Sequence, residues 1–141
     1  MGEAQIVIVG GGIGGLAAGL ALARSGRAVR VLERAGDFTE VGAGLQLAPN
    51  ATRLLDGLGV LDAVLEAGVA PARLVIADAH TGEGLVFSDL GDRFRRTYRT
   101  PYVVLHRHDL LQILLSACLE AGVVLETDRE VTGTAETADG V

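Results

Sequence analysis

Five of the six residues from Gly10 to Gly15 are glycine, and this run constrains the fold more than any other feature of the chain. The apolar, β-branched residues 5–9 precede it and predict a buried strand. The Ala- and Leu-rich segment from Ile13 to Arg24 follows and predicts a helix, which Gly26 ends. Residues 28–33 alternate in polarity and predict a second strand. This order of elements is that of a parallel β-α-β unit.

The glycines are spaced as Gly10-x-Gly12-x-x-Gly15, in the strand-to-helix context that a dinucleotide-binding loop requires. Gly10 permits a tight turn, Gly12 lets a pyrophosphate approach the backbone, and Gly15 allows close packing of helix on strand. The helix N-terminus offers unpaired N–H groups and a positive dipole end. Glu33 stands 18 residues after Gly15, where an acid accepts hydrogen bonds from ribose hydroxyls and repels a 2′-phosphate. NADP is therefore disfavoured in this loop, whereas FAD and NAD both remain open.

The uncharged run from Ile6 to Ala23 is 18 residues long and reaches the length of a membrane span. Its glycines are poor helix formers and add little hydrophobicity. The residues before it contain Glu3 and no Lys or Arg, which argues against a signal peptide. We therefore expect neither a membrane span nor export.

The chain has 141 residues, of which 49% are hydrophobic and 4% aromatic, and a net charge of −6. This composition predicts a globular domain with an aliphatic core and excludes disorder. The acidic balance argues against nucleic acid as a partner, and we interpret the arginine-rich residues 92–100 as a solvated loop. Cys118 is the single cysteine, so we expect a buried thiol, no intrachain disulfide and a cytoplasmic chain.

The remaining segments predict a mixed α/β order. They are a short strand within residues 41–47, a helix from Asn50 as its N-cap to Gly57, a helix over 60–68, a hairpin of 72–78 and 84–89, a strand over 102–106, a helix over 108–121, a strand over 123–127 and the start of a hairpin in 130–141. The predicted fold is an α/β, Rossmann-like FAD/NAD(P)-binding fold with a parallel sheet and an inserted antiparallel hairpin. We expect no metal site, no catalytic role for His106 or His108, and an exposed His80 in the hairpin turn.

Three separated motifs resemble, in the same order, those of the single-component flavoprotein aromatic hydroxylases, in the branch of salicylate hydroxylase and p-hydroxybenzoate hydroxylase. They are Glu33-Arg34, the segment GAGLQL at residues 42–47 with PNA at 49–51, and VVLHRHDLLQILLSA at 103–117. The resemblance covers almost the whole chain. It implies that residues 1–141 are the N-terminal part of an FAD-binding domain, with about residues 71–105 as an inserted hairpin and strand region.

The resemblance also implies FAD contacts at matching positions. The glycine loop would bind the pyrophosphate, Glu33 the adenosine ribose, and Arg34 the adenine or ribose. The turn at residues 42–44 would pass the flavin side, Arg107 would reach the phosphate or ribitol, and the backbone near Val131 would touch the adenine. The implied cofactor-binding residues are Gly10, Gly12, Ile13, Gly14, Gly15, Glu33, Arg34, Gly42, Ala43, Gly44, Arg107 and Val131.

The activity that the resemblance implies is an FAD-dependent monooxygenase that uses NAD(P)H and O2 to hydroxylate a phenolic aromatic substrate. Two later motifs of the family, Asp-Gly and Gly-Asp-Ala, are not matched, since Asp56-Gly57 and Asp139-Gly140 have other surroundings. We therefore expect an FAD-binding portion that is incomplete at its C-terminus, with the catalytic residues beyond 141. The alternatives are another FAD-dependent oxidoreductase, such as an oxidase, halogenase or reductase, and a non-catalytic dinucleotide-binding fragment.

Overall fold

The structure is a computed structural model that describes residues 5–39, 42–136 and 140. Strands and helices alternate along these residues: β1 (Ile6–Val9), α1 (Ile13–Arg24), β2 (Val29–Leu32), β3 (Gly44–Leu47), α2 (Pro49–Gly57), α3 (Leu61–Ala67), β4 (Arg73–Ala77), β5 (Gly84–Asp89), α4 (Asp92–Tyr98), β6 (Val103–His106), α5 (Arg107–Glu120) and β7 (Val124–Glu126). The chain divides into two compact units, one of Met1–Val41 with Leu110–Val141 and one of Gly42–Asp109. Within the described ranges, no helix is long and apolar enough to cross a bilayer.

The first unit is built on a parallel sheet with the strand order β1-β2-β7. Strand β1 pairs in parallel with β2, and β7 joins the other side of β2, also in parallel. Helix α1 connects β1 to β2 and has the bounds that the sequence predicts, Ile13–Arg24. The predicted β-α-β unit and the α/β fold class are confirmed.

The core of the first unit is aliphatic, as the composition predicts. Leu16 and Leu20 of α1, Val31 of β2, and Leu111 of α5 are all fully buried. Cys118 is buried as well, and its thiol donates a hydrogen bond of 3.2 Å to the Leu16 carbonyl oxygen. Burial raises the pKa of this thiol to about 11, so it stays protonated and unreactive. The expectation of a buried structural cysteine is confirmed.

The second unit contains an antiparallel pair of strands, β3 and β6, in which Gly44 lies opposite His106. Two threonines join the start of helix α2 to the segment before β6. The Thr52 hydroxyl donates to the Pro101 carbonyl oxygen at 2.8 Å, and the Thr100 hydroxyl donates to the Pro49 carbonyl oxygen at 3.1 Å. Because both threonines are buried, these bonds satisfy polar groups that would otherwise be costly to enclose.

Strands β4 and β5 form the predicted antiparallel hairpin. Its turn is organised by Asp78, whose Oδ1 accepts hydrogen bonds from the backbone N–H groups of His80 and Thr81. The bond from Thr81, followed by that from His80, holds the pKa of Asp78 below its ordinary value. Gly82 takes a φ of +73° in the same turn, a conformation that glycine adopts without strain.

The arginine-rich residues 92–100 are not the loop that the sequence predicts, since Asp92–Tyr98 forms helix α4. Asp92 lies in its first turn, where a negative charge interacts favourably with the helix dipole and stabilises the helix. The rings of Phe94 and Tyr98 contact each other one turn apart, with their centroids 4.6 Å from each other and their planes inclined by 48°. Arg99 ends the helix in the left-handed conformation. These local contacts outweigh the like charges of the arginines, which remain exposed.

Two further expectations differ from the structure. Asn50 is not the N-cap of α2, because Ala48 holds that position and Pro49 begins the helix. Proline suits the first helical position, since its φ is fixed and its missing N–H would have no partner there. The hairpin predicted in residues 130–141 has no strand over residues 130–136, and residues 137–139 and 141 lie outside the described part.

Leu111 and Leu119 provide a matched test of the packing on helix α5, with 0% and 60% of their surface exposed. We expect Leu111→Ala to lower the free energy of unfolding by about 2–5 kcal/mol, because it leaves a cavity in the core. Leu119→Ala should change it by less than about 0.5 kcal/mol. Urea denaturation followed by circular dichroism measures both, and equal losses would contradict this arrangement of the helix.

Candidate functional site

The turn between β1 and α1 depends on glycine at two positions for different reasons. Gly10 has a φ of +103°, which side-chain-bearing residues rarely adopt, and its N–H donates to the Leu32 carbonyl oxygen at 2.8 Å. A Cβ on Gly15 would overlap the Gly10 carbonyl oxygen and would lie 3.5 Å from the Ile8 side chain of β1. The turn and the close approach of helix to strand therefore both require the bare backbone.

Gly11 is a third essential glycine that the spacing of the motif does not reveal. A Cβ there would overlap the ring of Phe38, which is only 8% exposed. The Phe38 carbonyl oxygen accepts a hydrogen bond of 3.3 Å from Gln112 Nε2, so the ring belongs to a segment that is itself held in place. The run of three glycines was the available signal, but only the fold shows that Phe38 packs on the middle one.

Glu33 lies at the end of β2 and contacts the glycine turn directly. Its Oε2 accepts a hydrogen bond of 2.6 Å from the Gly11 N–H, and its Oε1 accepts one of 3.0 Å from the Ala35 N–H. The Ala35 bond, followed by the Gly11 bond, holds the pKa of the carboxyl below its ordinary value of 4.5. The acid is therefore ionised at neutral pH. Each carboxylate oxygen can accept a second hydrogen bond, which leaves capacity for a ligand hydroxyl.

The N-terminus of α1 is open to an anion. Gly12 is its N-cap, no side chain caps it, and no acidic residue lies in its first turn. The first N–H groups of a helix have no partner within the helix, and the dipole gives this end a partial positive charge. The backbone of Ile13, Gly14 and Gly15 therefore offers a phosphate-binding surface. A Cβ on Gly14 would meet nothing within 4 Å, so Gly14 is required by neither turn nor packing.

A cleft of about 260 Å³ opens beside this turn in the first unit. It brings together four residues that the sequence assigns to cofactor binding, namely Gly10, Glu33, Arg34 and Val131. The other residues that line it are Val9, Leu32, Arg129 and Glu130. No motif marks the segment that follows β7, so the sequence does not predict Arg129 or Glu130 as residues of the site.

The other assigned residues gather in the second unit. A Cβ on Gly42 would lie 3.0 Å from Cδ of Arg107, so the arginine passes close over this glycine. The Arg107 N–H donates to the Ala43 carbonyl oxygen at 3.3 Å. Gly44 is exposed at the start of β3. The strand pairing of β3 with β6 therefore places Gly42, Ala43, Gly44 and Arg107 at one end of this sheet.

His106 and His108 contact each other at the start of helix α5, and His80 lies in a turn. The backbone N–H of His108 donates to Nδ1 of His106 at 3.2 Å, which engages that ring in a local turn. His80 is exposed in the β4–β5 turn. Among the residues that the structure describes, no three His, Cys, Asp or Glu side chains are grouped to hold a metal ion.

Comparisons with known proteins give a consistent result. The family described as "FAD binding domain" matches residues 3–141. The chain is 43% identical over 128 residues to 3-hydroxybenzoate 6-hydroxylase 1 of Aquipseudomonas alcaligenes, covering 90% of this chain and 32% of that protein. It is 33% identical over 140 residues to 6-hydroxynicotinate 3-monooxygenase of Bordetella bronchiseptica, covering 99% of this chain and 36% of that protein. The chain thus spans about a third of the length of these relatives.

Solved structures show the same fold. Klebsiella pneumoniae HpxO complexed with FAD and uric acid superposes with a TM-score of 0.79 at 26% identity, covering 95% of this chain and 33% of that one. The tetrameric form of 2-methyl-3-hydroxypyridine-5-carboxylic acid oxygenase superposes with a TM-score of 0.79 at 26% identity, covering 91% and 32%. The arrangement of strands and helices described above is therefore shared with flavin-dependent oxygenases.

Substitutions at Gly11 and Gly14 test which glycine of the turn is required by packing, because of these two only Gly11 lies against a side chain. We expect Gly11→Ala to destabilise the protein by about 1–3 kcal/mol, because the added methyl group displaces the enclosed Phe38 ring. Gly14→Ala should leave stability unchanged or raise it by up to about 1 kcal/mol, because alanine favours a helix. Thermal unfolding measures both variants. A Gly11→Ala protein as stable as Gly14→Ala would refute the contact with Phe38.

Glu33 should make stability depend on acid pH. Its folded-state pKa is lowered, so its contribution is complete above the ordinary value of 4.5 and is lost as the pH falls below that value through the lowered pKa. Glu33→Gln removes this titration. We expect the free-energy difference between wild type and Glu33→Gln to shrink as urea denaturation is repeated from pH 7 downward. A constant difference would show that the carboxylate bonds to Gly11 and Ala35 do not form.

Proposed function

Because the chain belongs to the FAD-binding domain family of flavoprotein aromatic hydroxylases, we propose that it is the FAD-binding portion of a monooxygenase that uses NAD(P)H and O2 to hydroxylate an aromatic substrate. The observation that carries the proposal is the bond between Glu33 and the Gly11 N–H, which sets a ribose-binding acid against the phosphate-binding turn. The cofactor, FAD, is given by the family and by FAD-bound structures of the same fold.

The residues of the first unit fit the adenosine diphosphate half of FAD. Gly10, with its positive φ, and Glu33, whose pKa is lowered, both line the cleft, and the uncapped start of α1 follows Gly10 in the same turn. We assign the pyrophosphate to the backbone of Gly10, Gly12, Ile13, Gly14 and Gly15. Glu33 would accept hydrogen bonds from the ribose. Arg34 and Val131 line the same cleft, which supports their assignment to the adenosine.

The residues of the second unit are suited to contact a different part of FAD. The bare backbone of Gly42, Ala43 and Gly44 and the guanidinium of Arg107 are assigned to the flavin and ribitol-phosphate part of the cofactor. Arg107 carries a charge and a planar donor set that suit a phosphate. The predicted inserted segment of about residues 71–105 falls inside this unit, which spans Gly42–Asp109. We include in the proposal that this segment is an insertion in the FAD-binding domain.

The chemistry divides between cofactor and protein. Bound FAD supplies electron transfer and oxygen activation. The residues described above bind and orient it, and Cys118 is too buried and too weakly acidic to act as a nucleophile. The relatives' names contain hydroxybenzoate and hydroxynicotinate, so the proposed substrate class is a hydroxylated aromatic or heteroaromatic acid. The single cysteine and the net charge of −6 support a cytoplasmic protein with small-molecule partners rather than nucleic acid.

FAD binding tests the proposal at Glu33. We expect the protein to quench flavin fluorescence on binding FAD, and Glu33→Ala to weaken that binding by about tenfold or more, because charge-assisted hydrogen bonds to the ribose are lost. Glu120→Ala is the control, since Glu120 is an exposed acid on α5 of the first unit. Circular dichroism checks that each variant is folded. No uptake of FAD by folded wild-type protein would overturn the proposed function.

Turnover separates the candidate activities. In the protein that carries this chain, we expect oxidation of NADH or NADPH to depend on a hydroxylated aromatic acid, with a product one oxygen atom heavier by mass spectrometry. FAD binding with substrate oxidation but no added oxygen would instead identify another FAD-dependent oxidoreductase. Nucleotide binding without any flavin reduction would identify a non-catalytic module.

A further inference from the structure

The segment after β7 is fixed against the ribose-binding acid. The Arg129 N–H donates to the Glu33 carbonyl oxygen at 2.9 Å, and the Asp128 N–H donates to the Ala35 carbonyl oxygen at 3.0 Å. Asp128 adopts a φ of +55°, an unusual conformation for a residue with a side chain. This turn brings the backbone of Arg129 beside Glu33 rather than letting it continue along the sheet.

The Arg129 side chain is held by Glu126, the last residue of the preceding strand β7. Its Nε donates to Glu126 Oε2 at 2.9 Å, while Glu126 Oε1 pairs with Arg30 Nη1 at 3.2 Å. Glu126 is anchored in turn, because it pairs with Leu32 in the sheet. In the described part of the chain, the bond to Glu126 is the one hydrogen bond of the Arg129 guanidinium. The two Nη groups and the planar face are left for another partner, and 62% of the side chain is exposed.

Arg129 lies where its guanidinium could contact an adenine ring. It lines the cleft of about 260 Å³ together with Gly10, Glu33 and Arg34. Adenine is bonded directly to the ribose, so a ribose held by Glu33 places the base within the same cleft. A guanidinium plane stacks on an aromatic face, and one that is already oriented loses less entropy on binding. Arg34 has no such anchor among the described residues.

We propose that Arg129 stacks its guanidinium on the adenine ring of the dinucleotide, and that Glu126 is the positioning residue that orients it. The proposal rests on the proposed function, since it takes FAD as the ligand. It assigns adenine recognition to a side chain in addition to the backbone near Val131.

The test compares ligands that contain adenine with ligands that do not. Arg129→Leu should weaken binding of FAD and ADP by about fivefold, and should leave FMN and inorganic pyrophosphate unchanged. Arg129→Lys should recover only part of the loss, because an ammonium lacks the planar face. Arg27→Leu is the control, since it removes the same charge from an exposed site in the same unit. Fluorescence titration and calorimetry measure the affinities.

Glu126→Gln tests the positioning role. We expect it to weaken ADP binding by about twofold on its own, and to add nothing in the Arg129→Leu background, because the two residues would act through one contact. Additive losses in the double variant would overturn the role of Glu126. Equal weakening of pyrophosphate and ADP by Arg129→Leu would show a phosphate contact and overturn the stacking. ADP binding unchanged by Arg129→Leu but lost in Glu33→Ala would reject this inference alone, whereas failure of wild type to bind FAD would reject the proposed function.

Discussion

The hydrogen bond between the Gly11 N–H and the Glu33 carboxylate is the contact on which the candidate site depends. It joins two residues 22 positions apart in the sequence, and the parallel pairing of Val9 with Leu32 brings them together. A shift of this pairing by one residue would turn the side chains of β2 to the other face of the sheet and carry Glu33 away from the turn. The register of two short strands therefore sets the position of the Glu33 carboxylate relative to the glycine turn.

The glycines of the turn look alike in the sequence but carry different constraints. Gly10 is required for its backbone conformation and Gly15 for contact with the Gly10 carbonyl. Gly11 is required by the enclosed ring of Phe38, whereas Gly14 faces open space. A spacing rule identifies the first and last of these, because they are common to every turn of this type. It does not identify Gly11, whose constraint comes from a residue specific to this fold.

Two elements differ from what the sequence predicts, and for the same physical reason. The arginine-rich residues 92–100 were expected to be a solvated loop, but the contact of Phe94 with Tyr98 and the favourable position of Asp92 support a helix. Asn50 was expected to cap α2, but Pro49 occupies the first helical position more favourably. In both cases two conformations of the same few residues compete. Their free energies differ by too little for the sequence to show which one is favoured.

The sequence by itself determined the parallel β-α-β unit and predicted a dinucleotide ligand, because hydrophobic periodicity and glycine spacing are local properties. The resemblance of the motifs near Gly42 and Arg107 to those of flavoprotein aromatic hydroxylases narrowed the ligand to FAD. Only the tertiary structure decided that Phe38 packs on Gly11, that Glu33 bonds to the turn, and that Arg129 lies beside Glu33. These are contacts between residues far apart in the chain, and they form only once strand pairing has fixed which segments become neighbours.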